Sequence, residues 1–157
     1  MSTWIKIGMS GALMKTGERR FILTQKVMRA ATSFPTGYPH VVPLAFVVIG
    51  NRVYFESRRE SVKVRHILKN PRVSLLFDQY DPTSHHPRYR GVLMKGTARV
   101  LGFGNPEFMR ARRYIYRKYK YFSKSFPIVK GSGRVIVSFK PHAVVSWIYG
   151  YKNLTGS

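Results

Sequence analysis

Short runs of β-forming residues alternate with turn-forming residues along this chain, and no other feature constrains the fold as strongly. Residues 41–49 are apolar almost throughout, which is typical of a strand that is covered on both faces. Gly50 and Asn51 separate this run from the next, a spacing that predicts a β-hairpin. The predicted strands cover residues 27–33, 41–49, 52–57, 72–79, 89–101, 134–139 and 143–148. The pattern therefore predicts a mainly β protein, a closed antiparallel barrel with helices at its ends.

Two segments predict helices. Residues 57–71 carry apolar side chains at helical spacing and end at Pro71, and Ser57 or Ser61 is placed to cap the start. Residues 106–121 predict a second helix, because a proline suits a first turn. Its expected buried residues are Phe108, Met109, Ala111, Tyr114, Ile115 and Tyr119, and its expected solvated residues are Arg110, Arg112, Arg113, Arg117, Lys118 and Lys120. Residues 1–20 are expected to form a short helix or an arm that packs on the body or on a partner subunit.

Composition narrows the class of protein further. The 157 residues suffice for one domain, so residues 1–157 are expected to fold as a single unit. The chain has no cysteine, which excludes disulfides, thiolate nucleophiles and cysteine-ligated zinc and fits a cytoplasmic protein. No stretch approaches the ~20 apolar residues that span a bilayer, and the N-terminus lacks the pattern of a signal peptide. No membrane span is therefore expected.

The charge balance is strongly basic. Lysine and arginine total 28 against 6 acidic residues, which gives a net charge of +22 and a field that attracts polyanions. The cations are spread from Arg19 to Lys152, which favours a folded basic domain over a disordered tail. Residues 113–121 alternate aromatic and basic side chains, as single-strand binders do, although Ile115 and Tyr119 fall four apart and are expected to face the core. Nucleic-acid binding and a merely solvated basic surface both remain open.

The segment 57–63 has the residues of a phosphate site. The hydroxyls of Ser57 and Ser61 and the cations Arg58, Arg59 and Lys63 stand just ahead of a predicted helix start. Helix N-termini present free amides and the positive end of the helix dipole, and hydroxyls and cations add charge-assisted hydrogen bonds to an anion. The same residues also fit an ordinary capped helix with a solvated basic turn.

No other motif indicates a catalytic centre. The histidines have no carboxylate at ligand spacing, so no metal site is expected at His40, His66, His85, His86 or His142. His40 is expected at the rim of a buried strand, and His66 at an exposed position of a helix. The closest pair of acids, Asp78 and Asp81, is expected in a solvated loop. The chain contains neither the nucleophile elbow of serine hydrolases nor the glycine fingerprint of dinucleotide-binding folds.

Several segments together have a distinctive order and spacing. They are Gly37-Tyr38-Pro39-His40-Val41-Val42-Pro43-Leu44, Val53-Tyr54-Phe55, Ser61-Val62-Lys63-Val64-Arg65, Asn70-Pro71-Arg72-Val73-Ser74-Leu75-Leu76-Phe77-Asp78, Gly91-Val92, Gly96-Thr97-Ala98-Arg99-Val100 and Val144-Val145-Ser146-Trp147. Over residues 27–147 this set resembles the pyridoxamine 5′-phosphate oxidase-like family, the FMN-binding split barrels. The resemblance implies a six-stranded antiparallel split β-barrel of Greek-key type with two to three flanking helices. It also implies a homodimer with the cofactor in a groove at the subunit interface.

The resemblance implies cofactor contacts at particular positions of this chain. Residues matching the strand whose backbone borders the isoalloxazine ring are Val42, Pro43, Leu44 and Ala45. Residues matching the phosphate-binding region are Ser57, Ser61 and Lys63. Gly91 falls where the oxidase carries a glutamine that contacts the ring. Trp147 matches a tryptophan beside the cofactor, contributed by the other subunit.

Departures from the oxidase pattern bear on the activity. The oxidase has arginine where this chain has Val42 and Val62, and Arg58, Arg59 or Arg65 would replace the second. The arginine and histidine that hold pyridoxal phosphate in the oxidase have no match after Trp147, which argues against true pyridoxamine-phosphate oxidase activity.

The expected function is therefore an oxidoreductase that transfers hydride or electrons through bound FMN. A reductase that uses the deazaflavin coenzyme F-420 is the alternative on the same fold, as is a cofactor carrier without turnover. A basic nucleic-acid-binding protein without enzymatic activity is the alternative of another class. No catalytic side chain is assigned, because the cofactor itself carries the reacting atoms.

Overall fold

The computed structural model describes residues 2–82 and 88–152. These residues form eight strands and four helices. In chain order they are β1 (Ser2–Ser10), α1 (Thr16–Thr24), β2 (Met28–Thr32), β3 (His40–Leu44), β4 (Val47–Ile49), β5 (Arg52–Arg58), α2 (Val62–Lys69), β6 (Arg72–Asp81), β7 (Arg88–Leu101), α3 (Pro106–Lys118), α4 (Phe122–Ser125) and β8 (Arg134–Lys152). None of the helices in this part of the chain is long and apolar enough to cross a membrane.

All strands join one antiparallel sheet, which confirms the mainly β prediction. The hydrogen-bonded order is β3-β2-β6-β7-β8-β5-β4, and β1 pairs with β8 outside this path. Eight strands are present rather than six, and four helices rather than two to three. Part of the difference lies at the N-terminus, where the expected helix or arm is the strand β1 followed by α1.

The sheet curls because its two edge strands are joined by only two residues. β3 and β4 lie at opposite edges, yet only Ala45 and Phe46 separate Leu44 from Val47. Three virtual bonds span at most roughly 11 Å, so the two edges must meet in space. They do not pair with each other, which makes the barrel split. The apolar run 41–49 is therefore two strands, not the single strand that the sequence predicts.

The opposite error occurs in β8, which the sequence predicts as two strands separated by Lys140 and Pro141. The chain passes through Pro141 as one strand because the register shifts there, with Gly96 opposite Pro141 and Lys95 opposite Ala143. Such a bulge tolerates proline, which lacks an amide for the ladder. A Cβ at Gly96 would collide with the Lys140 carbonyl, so glycine is required at this point.

Tyr119 closes the gap between the two edges. Its hydroxyl accepts a hydrogen bond from the Phe46 amide at 3.0 Å and lies within donating distance of the carbonyls of Lys26, at 2.8 Å, and Phe46, at 3.0 Å. The Phe46 side chain is fully buried and packs edge-to-face on Phe77 inside the barrel. Burial raises the pKa of the Tyr119 hydroxyl, so the group stays a neutral donor and acceptor.

Two apolar cores lie on the two faces of the sheet. One fills the barrel and includes Phe21, Met28, Phe55, Leu75 and Phe139. The other lies between α3 and the outer face, where α3 contributes three buried residues. These are Phe108, Ala111 and Ile115.

The predicted faces of α3 are correct at most positions, although Met109 and Tyr119, predicted to be buried, are only partly buried. Tyr114, predicted to be buried, is exposed. Arg112 and Lys118, predicted to be solvated, are half-buried. The guanidinium of Arg112 donates to the carbonyl of Ile128, and the amine of Lys118 lies 3.8 Å from the ring centroid of Phe46. Long cationic side chains can cover apolar surface in this way.

We predict that Tyr119→Phe destabilises the fold by about 1–3 kcal/mol, because it leaves the Phe46 amide and a facing carbonyl unpaired in a buried place. The measurement is the free energy of unfolding in urea. The matched control is Tyr114→Phe, whose hydroxyl makes no hydrogen bond to the described residues and whose removal should leave stability unchanged. Equal stability of the two variants would show that the Tyr119 hydroxyl does not hold the edges together.

Candidate functional site

The turn between β5 and α2 brings the predicted phosphate residues together. The hydroxyls of Ser57 and Ser61 lie 2.9 Å apart and are hydrogen-bonded to each other. Ser61 occupies the N-cap position of α2, but its side chain makes no capping hydrogen bond. The first amides of a helix have no partner within the helix. Those of Val62, Lys63 and Val64 therefore remain available to a ligand. The prediction of Ser61 as the N-cap residue is confirmed, but its hydroxyl makes no capping hydrogen bond.

Backbone hydrogen bonds fix the shape of this turn. The amide of Ser61 donates to the carbonyl of Arg58 at 3.2 Å, and the amide of Arg59 donates to the carbonyl of Gly133 at 2.9 Å. Arg58 is also opposite Arg134 in the β5–β8 ladder. The turn is thus anchored at its first end to the start of β8, and the bond from Ser61 to Arg58 closes it on itself.

The side-chain charges around the turn are mainly positive, which favours an anion. Arg58 and Arg59 are exposed, whereas Lys63 is half-buried. Burial lowers the pKa of the Lys63 amine, and the charge of nearby Glu56 offsets part of this effect. Glu56 is itself paired with Arg134, and both side chains are mostly buried. Among the described residues no carboxylate forms an ion pair with Lys63, so its charge is left for a ligand.

The strand predicted to border the ring lies at a free edge. In β3, Val42 is opposite Ala30, Pro43 opposite Arg29 and Leu44 opposite Met28. Among residues 2–82 and 88–152 no strand pairs with the other side of β3, so its outward backbone groups are open to a ligand. Pro43 suits such an edge because it cannot donate to a ladder.

This edge approaches the phosphate turn through β4 and β5. Ala45 stands two residues before Val47, which is opposite Tyr54, and Ser57 follows Tyr54 by three residues. In an antiparallel pair, moving back along β4 and forward along β5 leads in the same direction. The end of β3 and the start of the turn therefore lie on the same side of the sheet.

Gly91 and Trp147 meet directly, but far from the turn. They are opposite each other in the β7–β8 ladder, and a Cβ at position 91 would collide with the indole of Trp147. Along β8, Trp147 lies 12 residues beyond Val135, the partner of Ser57. That is a contour of about 40 Å, and a right-angle bend at the bulge would still leave roughly 28 Å. Within one chain, the predicted site is therefore split into two parts.

Two predictions about other polar residues are wrong. His66 is buried rather than exposed: its Nδ1 lies 3.2 Å from the Thr32 hydroxyl, and its ring packs 4.3 Å from that of Phe34. Asp78 and Asp81 lie in the strand β6 rather than in a loop, and Asp78 forms an ion pair with Arg29.

His85 and His86 lie outside the described residues. Within the described part of the chain no group of histidines and acids is arranged to hold a metal ion. Two residues beneath the turn escaped the sequence interpretation. They are Glu56 and Arg134, whose pairing depends on strands that are distant in sequence.

A further cavity is separate from these positions. It measures about 750 Å³ and lies beside the bulge, lined by residues that include Asn70, Arg72, Thr97 and His142. The hydroxyl of Thr97 is 3.2 Å from the Nε2 of His142, and Asn70 donates to the carbonyl of Ser33. None of the predicted cofactor residues lines it.

Solved structures with the same fold bind different ligands. A FAD-binding protein from Mesorhizobium loti superposes with a TM-score of 0.71 at 18% identity, covering 96% of this chain and 100% of the other. HutZ, the heme storage protein of Vibrio cholerae, superposes with a TM-score of 0.69 at 12% identity, covering 85% of this chain and 95% of the other. An F420 reductase superposes with a TM-score of 0.62 at 22% identity, covering 83% of this chain and 98% of the other. At these identities the likeness shows the fold alone.

The sequence itself matches a family. No protein of curated function matches it significantly. The family described as pyridoxamine 5'-phosphate oxidase, however, matches residues 14–147, which is most of the chain and includes the turn, the edge strand and Trp147. The chain belongs to the pyridoxamine 5'-phosphate oxidase family of split barrels.

Proposed function

We propose that this protein binds FMN, or coenzyme F-420 in its place, and works as an oxidoreductase. The phosphate would lie on the turn from Ser57 to Lys63, and the ring would lie along the free edge of β3. The observation that carries the proposal is the turn: an uncapped helix N-terminus, a pair of hydroxyls and an unpaired half-buried cation converge there. Each of these groups can stabilise a phosphate, and the two hydroxyls are engaged only locally, with each other and with the carbonyl of Arg58.

The residues present fit a flavin-type phosphate at this turn. The Ser57 and Ser61 hydroxyls currently satisfy each other at 2.9 Å, and either can turn to donate to a phosphate oxygen. Lys63 then supplies a point charge at half-buried depth, where the attraction is less screened than at the surface. Val62 replaces an arginine of the oxidase, and the exposed Arg58 is close enough in the turn to take over its charge.

The edge of β3, where the ring of the cofactor would lie, fits the cofactor less completely than the turn does. Leu44 packs against the core inside the barrel and Val42 is half-buried, so β3 would meet the ring chiefly through its outward backbone groups, which would hydrogen-bond the polar edge of the ring. Bound there, the cofactor supplies hydride or electron transfer. The protein's part is to orient the ring, exclude water from one of its faces and hold the phosphate, which needs no acid or base of the chain.

A homodimer reconciles the two separated halves of the site. Measured along the strand, Trp147 and Gly91 are about 40 Å from the phosphate turn of their own chain, and a right-angle bend would still leave roughly 28 Å. Both lengths exceed what one flavin mononucleotide spans. A second copy can place its Trp147 beside the ring held by the first. In this arrangement each of two sites takes its phosphate turn from one subunit and its tryptophan from the other.

The same fold accommodates FAD-binding, heme-storing and F420-reducing proteins, so the ligand has to be identified by binding. Titration of the purified protein with FMN and with coenzyme F-420, followed by absorption and fluorescence, makes the distinction. Quenching of flavin emission supports the FMN form. Uptake of the F-420 chromophore alone supports the deazaflavin form.

We predict that Lys63→Ala weakens binding of the cofactor roughly tenfold to hundredfold, because a hydrogen bond to a charged group is worth about 1.5–3 kcal/mol. Fluorescence titration measures the dissociation constant. The matched control is Lys69→Ala, an exposed lysine in the last turn of the same helix, which should bind as the unmodified protein does. Equal affinities for the two variants would place the phosphate elsewhere.

We further predict that two defective variants restore each other when mixed. Lys63→Ala damages the phosphate end and Trp147→Ala the ring end. If each site is shared between subunits, a mixed dimer contains one intact site and one doubly damaged site. Unfolding and refolding the two variants together should return tight binding to about a quarter of all sites, since half the dimers are mixed.

The stoichiometry of tight binding reports this outcome, and each variant refolded alone is the control. A site formed within one chain would give no tight binding in the mixture. A monomer by sedimentation would contradict the shared site independently of the titration.

A further inference from the structure

The exposed side of α3 is basic, aromatic and free of acidic residues. Arg110, Arg113, Tyr114 and Arg117 recur at helical spacing and are all exposed, so they form one face, the α3 basic face. None of these arginines pairs with a carboxylate in the described part of the chain. The helix's own acid, Glu107, is engaged beneath it, with Tyr54 and Ser138 donating to its carboxylate.

An aromatic pocket adjoins the C-terminal end of this face. Its volume is about 460 Å³, and its lining includes Lys26, Lys118, Lys120, Tyr121, Phe122 and Phe126. Tyr121 is 81% exposed, so its ring stands out at the mouth of the pocket. Three lysines and four aromatic rings, Tyr119 included, with no acid among them make a cavity suited to a flat ring attached to an anion.

Lys118 shows the unbalanced charge of this pocket. Its amine lies over the ring of Phe46 and makes no ion pair with a described carboxylate. Burial, and then the positive charge of Lys26, lower the pKa of this amine to about 8. An anion bound in the pocket would offset the repulsion from Lys26 and stabilise the protonated amine.

We propose that the α3 basic face and the aromatic pocket together bind single-stranded nucleic acid. Arg110 and Arg117 are about 10 Å apart along the helix, and Tyr121 follows just after the end of α3, a span that suits a few nucleotides. The arginines contact successive phosphates, Tyr114 and Tyr121 stack on bases, and the pocket receives one base. Exposed aromatic rings interleaved with cations distinguish this surface from one that only collects polyanions. Base stacking on these rings requires unpaired bases, which excludes a duplex.

The α3 basic face is separate from the proposed cofactor site, whereas the aromatic pocket reaches Phe46, the neighbour of Ala45, through Lys118 and Tyr119. α3 packs on the outer face of the sheet through Phe108, Ala111 and Ile115, and contributes no residue to the phosphate turn or to β3. Substitutions on its exposed side should therefore leave cofactor binding unchanged. Failure of either proposal leaves the other standing.

The first experiment measures binding of the full chain to a fluorescein-labelled single-stranded oligonucleotide by anisotropy at several salt concentrations. We expect a log-linear salt dependence whose slope falls by about 2 in the triple variant Arg110→Gln, Arg113→Gln, Arg117→Gln, because three phosphate contacts are lost at about 0.7 each. The control removes three exposed cations elsewhere, as Arg20→Gln, Lys69→Gln, Arg72→Gln. An equal change of slope in the control would overturn the proposal, since only total charge would then matter.

The second experiment separates stacking from charge. Tyr121→Ala should weaken oligonucleotide binding roughly 5- to 150-fold and leave the binding of heparin, a polyanion without bases, unchanged. An unaltered oligonucleotide affinity in Tyr121→Ala, or equal affinity of the unmodified protein for a duplex of the same length, would contradict the proposal. Cofactor uptake and urea unfolding of each variant verify that it is folded.

Discussion

The covalent link between the two edges of the sheet is the constraint on which the rest of the structure depends. Only Ala45 and Phe46 join β3 to β4, so the sheet must curl until its edges meet. The edges are not hydrogen-bonded to each other, and the Tyr119 hydroxyl from the end of α3 supplies polar partners at the junction instead. The barrel therefore relies on a helix packed outside it, and a single side chain couples the two cores.

The same link prepares the proposed site. It leaves β3 as a free edge and turns that edge toward the end of β5, where the Ser57 and Ser61 hydroxyls, the uncapped α2 and Lys63 lie together. Glu56, which would otherwise compete for Lys63, is neutralised by Arg134 from β8. The proposed anion site thus depends on a buried ion pair beneath it as well as on the groups that would touch a phosphate.

Local features of the fold and site were predictable from sequence, and long-range features were not. The hairpin at Gly50 and the phosphate turn are encoded by neighbouring residues. The break within residues 41–49 could not be predicted, because the apolar pattern continues through Phe46. At that point the chain leaves one edge of the sheet and enters the strand at the other edge. His66 is buried because Thr32 and Phe34 arrive from around β2, and Tyr114 is exposed because Phe108, Ala111 and Ile115 set the buried face of α3. Such outcomes depend on which elements meet.

The contact between Gly91 and Trp147 limits how this chain can change. The indole occupies the space that any side chain at position 91 would need, so the two positions share one volume. The glutamine found there in the oxidase cannot be introduced while the tryptophan keeps its present orientation. A series of substitutions that replaces Gly91 by glutamine must therefore include a reoriented tryptophan or a smaller residue at position 147. These positions should therefore vary together among descendants of a common ancestor, with glycine at one accompanying an inward-lying tryptophan at the other.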